Sequence, residues 1–136
     1  MKLELYNTLI KINKQLKQQK FYHLINRGGC GFFAEIIASE LSKHNVTFSI
    51  LTQITDDARI NHVLIQFNSP VLCWFDSNGI EIDIDEYDCY GELNFNEITL
   101  SSLNKLNKSD KWRPTFTRGS IDKIKQIVTK CFDDYR

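Results

Sequence analysis

Two short apolar runs, His62-Val63-Leu64-Ile65-Gln66-Phe67 and Val71-Leu72-Cys73-Trp74-Phe75-Asp76, are separated only by Asn68-Ser69-Pro70. That gap is too short for the crossover that joins parallel strands, so the two runs must turn back on each other as a β-hairpin. The chain therefore contains an antiparallel sheet, and every other segment has to be placed around it. A pairing centred on Ser69 sets Phe67 against Val71, Ile65 against Cys73 and Val63 against Phe75, which leaves one face wholly apolar for a core. The opposite face carries Gln66 with Leu72, Leu64 with Trp74, and His62 with Asp76. Directly opposed residues have Cβ atoms about 5 Å apart. Asp76 is therefore expected to take the Nδ1 proton of His62 and leave Nε2 to accept one from a third group.

The sequence offers that third group in Asn26-Arg27-Gly28-Gly29-Cys30-Gly31. Cys30 opens the clearest helical pattern in the chain, from Cys30 to about Lys43: Phe33, Ile37 and Leu41 share its face, while Glu35, Ser39 and Glu40 are left mostly for water. A thiolate at a helix N-terminus is favoured by the first-turn N–H groups and by the helix dipole. Gly28 and Gly29 permit a sharp entry and keep side chains away from an approaching substrate. Trp74, on the same strand face as His62 and Asp76, is expected to border it too. Cys30, His62 and Asp76 thus stand as nucleophile, base and orienter.

Elsewhere, Leu5, Leu9, Ile12 and Leu16 form one face of a helix over about residues 3–19, with Lys11, Lys14 and Lys17 outside it. Residues 20–26 are expected to be an extended connector and 46–54 a strand. Ile80, Ile82 and Ile84 alternate with Glu81, Asp83 and Asp85, the pattern of a charged edge strand. Ser101-Ser102 is expected to cap a short helix through Asn107, and 108–119 a loop. Ser120 would then cap a last helix whose apolar face is Ile121, Ile124, Val128, Cys131, Phe132 and Tyr135.

At 136 residues this is expected to be one α+β domain, 1–136, with a core able to stand without disulfides or metals. Seventeen basic against seventeen acidic residues argue against a generic nucleic-acid binder. No run is long enough to span a membrane. Cys30, Cys73, Cys89 and Cys131 include no closely spaced pair of the kind that holds zinc or a redox disulfide. The N-terminal stretch carries charges throughout and lacks the apolar region of a signal peptide, which points to the cytoplasm and free thiols. Charge is uneven along the chain: residues 76–97 hold eight Asp/Glu and no Lys or Arg. Bordering the Cys30 groove, that segment would favour basic peptides or proteins.

The order of cysteine at a helix start, histidine on a strand and Asp on the neighbouring strand resembles the papain-like superfamily of cysteine peptidases, transglutaminases and arylamine N-acetyltransferases. Arg27-Gly28-Gly29-Cys30 is similar to the Arg-Gly-Gly-x-Cys segment of the acetyltransferases, without its intervening residue. Trp74-Phe75-Asp76-Ser77-Asn78-Gly79 resembles the strand that ends in Asp before a glycine turn. The resemblance covers about residues 26–80. It implies a Cys-bearing helix packed on an antiparallel sheet, a Cys30–His62–Asp76 triad acting on amides, and no cofactor. Papain-type peptidases place an oxyanion-stabilising Gln upstream of the cysteine where Leu24 stands here. Asn26, or else His23, would then donate together with the Cys30 amide. Two alternatives stand beside this reading: an inactive papain-like module that binds a protein partner, and a metal site on His62, Asp76 and Asp83.

Overall fold

In the computed structural model, which describes residues 2–54, 60–82, 95–109 and 116–135, the hairpin is the middle of a five-stranded antiparallel sheet. Four strands follow one another, β1 (Ser49–Ile54), β2 (Ile60–Phe67), β3 (Cys73–Asp76) and β4 (Gly79–Glu81). A fifth, β5 (Asn96–Ile98), adds to the other side of β1, giving the order β4-β3-β2-β1-β5. The helices are α1 (Leu3–Lys17), α2 (Cys30–Lys43), α3 (Leu100–Ser109) and α4 (Arg118–Asp133). The fold is α+β, as expected from the hairpin and the helical stripes. No helix among the described residues is long and apolar enough to cross a membrane.

The alternation along β2 and β3 sorts the core. Val63, Ile65, Phe67, Cys73 and Phe75 pack with Leu9, Ile12, Phe33, Ile37, Leu41 and Phe132 from the helices in one buried cluster. Leu64 and Trp74 point the other way and form a second, smaller cluster with Leu51 and Phe95. Both faces of the hairpin are therefore covered, as its near-continuous apolar sequence requires.

The hairpin register differs from expectation. The observed pairs are Ile65 with Phe75, Gln66 with Trp74 and Phe67 with Cys73, so the turn is centred on Pro70 and not on Ser69. The connection takes the five residues 68–72, which removes Val71 and Leu72 from the ladder and leaves them exposed. The slip is two residues along one strand, and because strand side chains alternate with period two, it exchanges partners without exchanging faces. Carried one residue further, the register sets Asp76 level with Leu64 and leaves His62 as its diagonal neighbour on the same face.

Other differences have local causes. The expected extended connector contains a 3-10 helix, Tyr22–Arg27, which ends at Gly28 with φ of 127°. Thr99 and Thr117, not Ser101-Ser102 and Ser120, cap α3 and α4: their hydroxyls accept the N–H of Ser102 at 3.1 Å and of Ser120 at 3.2 Å. Glu40 is buried, held by Lys43 at 3.2 Å and Thr129 at 3.4 Å, where the helical pattern had left it to water. The edge position of β4 is as expected, although its predicted continuation over 83–85 lies outside the described residues.

Candidate active site

Three elements converge on Cys30. The chain leaves the 3-10 helix through Gly28, whose positive φ is readily adopted only by glycine. It then passes Gly29, which has its own reason to lack a side chain. A Cβ there would lie 2.6 Å from Cε2 of Phe116, a ring stacked on Phe32 at 6.2 Å and edge-on to Phe21 at 6.4 Å. Gly29, expected to leave space for substrate, instead gives its open side to Phe116. Cys30 is the first residue of α2, and the helical ladder begins after it, with Phe33 N–H donating to Gly29 O at 2.9 Å. The Cys30 amide thus has no acceptor within the helix and can face a ligand. The thiol is free and 4% exposed.

His62 lies on β2 beside an irregularity: Gln53 pairs with His62, but Ile54 pairs with Ile60, so Asn61 is an extra residue. A bulge of this kind bends the strand end that carries the histidine. His62 Nε2 lies 3.0 Å from Asp76 Oδ2, and the two side chains are 17% and 3% exposed. The other carboxylate oxygen, Oδ1, accepts the Asn78 N–H at 2.8 Å. The Cys30 sulfur is close enough to the imidazole for both a hydrogen bond and a charge interaction to act on it. Burial of the ring opposes its charged form, but the Asp76 hydrogen bond, the Cys30 interactions and the Asp76 charge together raise the His62 pKa to about 9. At neutral pH this site therefore holds an imidazolium.

The geometry brings Cys30, His62 and Asp76 together as the hairpin argument requires, with one change of detail. Asp76 engages Nε2 and not Nδ1, so Nδ1 is the nitrogen left for the thiol. Diagonal placement explains how the contact survives the register slip, because diagonal neighbours on one face remain within reach of long side chains. Trp74, expected against substrate, is 5% exposed and donates its indole N–H to Gln66 Oε1 at 2.8 Å. It supports the strand face that holds His62 and Asp76. The expected oxyanion donor Asn26 lies in the 3-10 helix with its side chain outside the described residues, as is the whole of Asp83. Burial pushes the thiols of Cys73 and Cys131 up from their ordinary value.

Two contributors went unnoticed in the sequence. Asn13 on α1 donates to the backbone carbonyls of Ser77 and Asp76 at 2.7 and 3.4 Å, and Tyr22 reaches Ser77 O at 3.0 Å. A signal for Asn13 was present, since it stands four residues after Leu9 and three before Leu16, inside the buried stripe of α1. A cleft of about 500 Å³ also opens along another side of α2, lined by Phe32, Glu35, Ile36, Asn107, Arg118 and Lys125 among others. A buried thiol beside an imidazolium that a carboxylate holds forms an arrangement able to attack a carbonyl and protonate what leaves it. Comparison with protein-family models, with curated proteins and with solved structures finds no match for this chain.

Proposed function

We propose that the protein catalyses thiol-dependent acyl transfer or hydrolysis on a protein or peptide amide, as a papain-like cysteine peptidase or deamidase, through Cys30, His62 and Asp76. The observation that carries this reading is the position of His62, held 3.0 Å from Asp76 on one side and interacting with the thiol of a helix-start cysteine on the other. The imidazole then holds the proton to be given and the sulfur is the nucleophile. Cys30 Sγ attacks the amide carbon, and the oxyanion is stabilised by the Cys30 amide with Asn26. The C–N bond breaks as His62 gives its Nδ1 proton to the departing amine, leaving a thioester and a neutral ring. Water, losing a proton to that ring, attacks the thioester, and the thiolate leaves with its imidazolium partner restored. Asp76 holds the ring's orientation throughout. An acidic border from residues 76–97 would favour basic substrates, and a nucleophilic thiol suits the reducing cytoplasm.

Competitive alkylation tests the reading without a known substrate. Cys30, Cys73 and Cys131 are 4%, 5% and 1% exposed, so accessibility alone gives Cys30 no advantage over Cys73. In native protein near neutral pH, iodoacetamide should label Cys30 roughly tenfold or more faster than either. His62→Ala should remove most of that advantage, and Asp76→Asn should remove less of it. Equal labelling of the three in the native protein refutes the enzyme and favours a papain-like module that binds a partner without chemistry.

A further inference from the structure

Asp76 can hold His62 only if the backbone beneath the carboxylate is itself fixed, and Asp76 is the last residue of a four-residue strand. Ser77 and Asn78 alone carry the chain into β4, so the turn's geometry depends on what satisfies its carbonyls. Asp76 pairs with Gly79 across the turn, and two further partners come from outside the sheet. Asn13, 4% exposed in the middle of α1, points its Nδ2 at Ser77 O (2.7 Å) and Asp76 O (3.4 Å). Tyr22, the first residue of the 3-10 helix, sets its hydroxyl 3.0 Å from Ser77 O and 3.2 Å from Asn78 Oδ1, two acceptors that share its one proton. Ser77 is 1% exposed, so water does not compete freely for its carbonyl. Burial, and the nearby Asp76 charge, raise the Tyr22 pKa, which keeps the hydroxyl a donor.

Two features of this clamp bear on the chemistry. Both donors are neutral. A Lys or Arg here would satisfy the same carbonyls but would also attract the Asp76 carboxylate and weaken its hold on His62. Tyr22 also begins the segment that runs through Gly28 and Gly29 to Cys30, so one hydroxyl ties the chain delivering the thiol to the turn delivering the carboxylate.

We propose that Asn13 and Tyr22 are positioning residues of this site: neutral donors that lock the Asp76–Ser77 backbone to the segment carrying Cys30, and so set the Asp76–His62 contact. The inference rests on the acyl-transfer reading only for its catalytic consequence; its test does not depend on activity. In the full-length chain, His62 imidazole nitrogens are followed by NMR against pH in wild type, Tyr22→Phe, Asn13→Ala and Thr117→Ala. Thr117→Ala removes a helix cap on α4 and serves as a destabilised control. Native His62 should titrate near pH 9. Tyr22→Phe and Asn13→Ala should each lower that midpoint by roughly half a unit or more, since each removes one donor from the turn. Thr117→Ala should lower thermal stability and leave the midpoint in place. Cys30 alkylation should slow severalfold in the first two variants and stay unchanged in the control.

An unchanged His62 midpoint in both clamp variants, whatever their stability, overturns the proposal. Tyr22→Phe deletes one atom and keeps the ring, so it decides the matter if Asn13→Ala does not fold. If the midpoint falls in the variants while native Cys30 labels no faster than Cys73, the positioning role stands and the catalytic reading falls.

Discussion

His62 makes the stability of the protein depend on pH in a way that can be worked out before any substrate is known. Its pKa rises from 6.5 in the unfolded chain to about 9 in the fold. At about 1.4 kcal/mol per unit, preferential protonation of the native state is worth about 3 kcal/mol. Because the folded pKa is the higher one, that stability is fully present below about pH 6.5 and disappears as pH rises through about 9. Between about pH 6.5 and 8.5 roughly 2 kcal/mol of it should be lost. The raised thiols of Cys73 and Cys131 and the raised phenol of Tyr22 act in the same direction, but from higher pH, since their ordinary values are 9.0 and 10.0.

The measurement is urea unfolding across that window for wild type and for His62→Gln, which fills most of the ring's volume and cannot take up a proton. Wild type should lose about 2 kcal/mol relative to the variant, seen as a falling midpoint at constant slope. Parallel pH profiles for the two proteins would show that His62 gains no proton affinity on folding, and would refute the imidazolium.

Two further changes test the packing that brings the thiol to its place. Gly29→Ala pushes a methyl group against Phe116, a 5% exposed ring wedged between Phe21 and Phe32, and should cost about 1–3 kcal/mol by urea unfolding. Thr117→Ala removes the hydroxyl that accepts Ser120 N–H and should cost about 1 kcal/mol, read in the same way.

Much of the site was legible because it depends on parity more than on register. His62 and Asp76 fall on the same face for any hairpin slip of two residues, so a pairing centred one residue too early still joined them. Cys30 was legible because Phe33, Ile37 and Leu41 repeat at helical spacing behind it. The choice of ring nitrogen was not, since parity fixes the face a side chain takes and not the rotation of its ring. Gly29 illustrates a different limit: its partner Phe116 lies far along the chain, and nothing local distinguishes a glycine opened for substrate from one closed over by an aromatic ring. The strand β5 is three residues long and pairs with β1 across some forty positions of sequence, too short a segment for alternation to register.

The buried charges at the site also explain why its parts depend on one another. An imidazolium 17% exposed and a carboxylate 3% exposed would each be costly alone, and each is tolerated because it meets the other, while the carboxylate also accepts a backbone N–H. Asp76 gives one oxygen to His62 and the other to the Asn78 N–H, so the turn that positions the carboxylate also uses part of its capacity to accept. The imidazole is left with one nitrogen, and the thiol is the group that meets it. Loss of the carboxylate therefore does more than remove an orienting contact. It removes the first of the interactions that favour the protonated ring, and leaves those with Cys30 to hold the proton against burial.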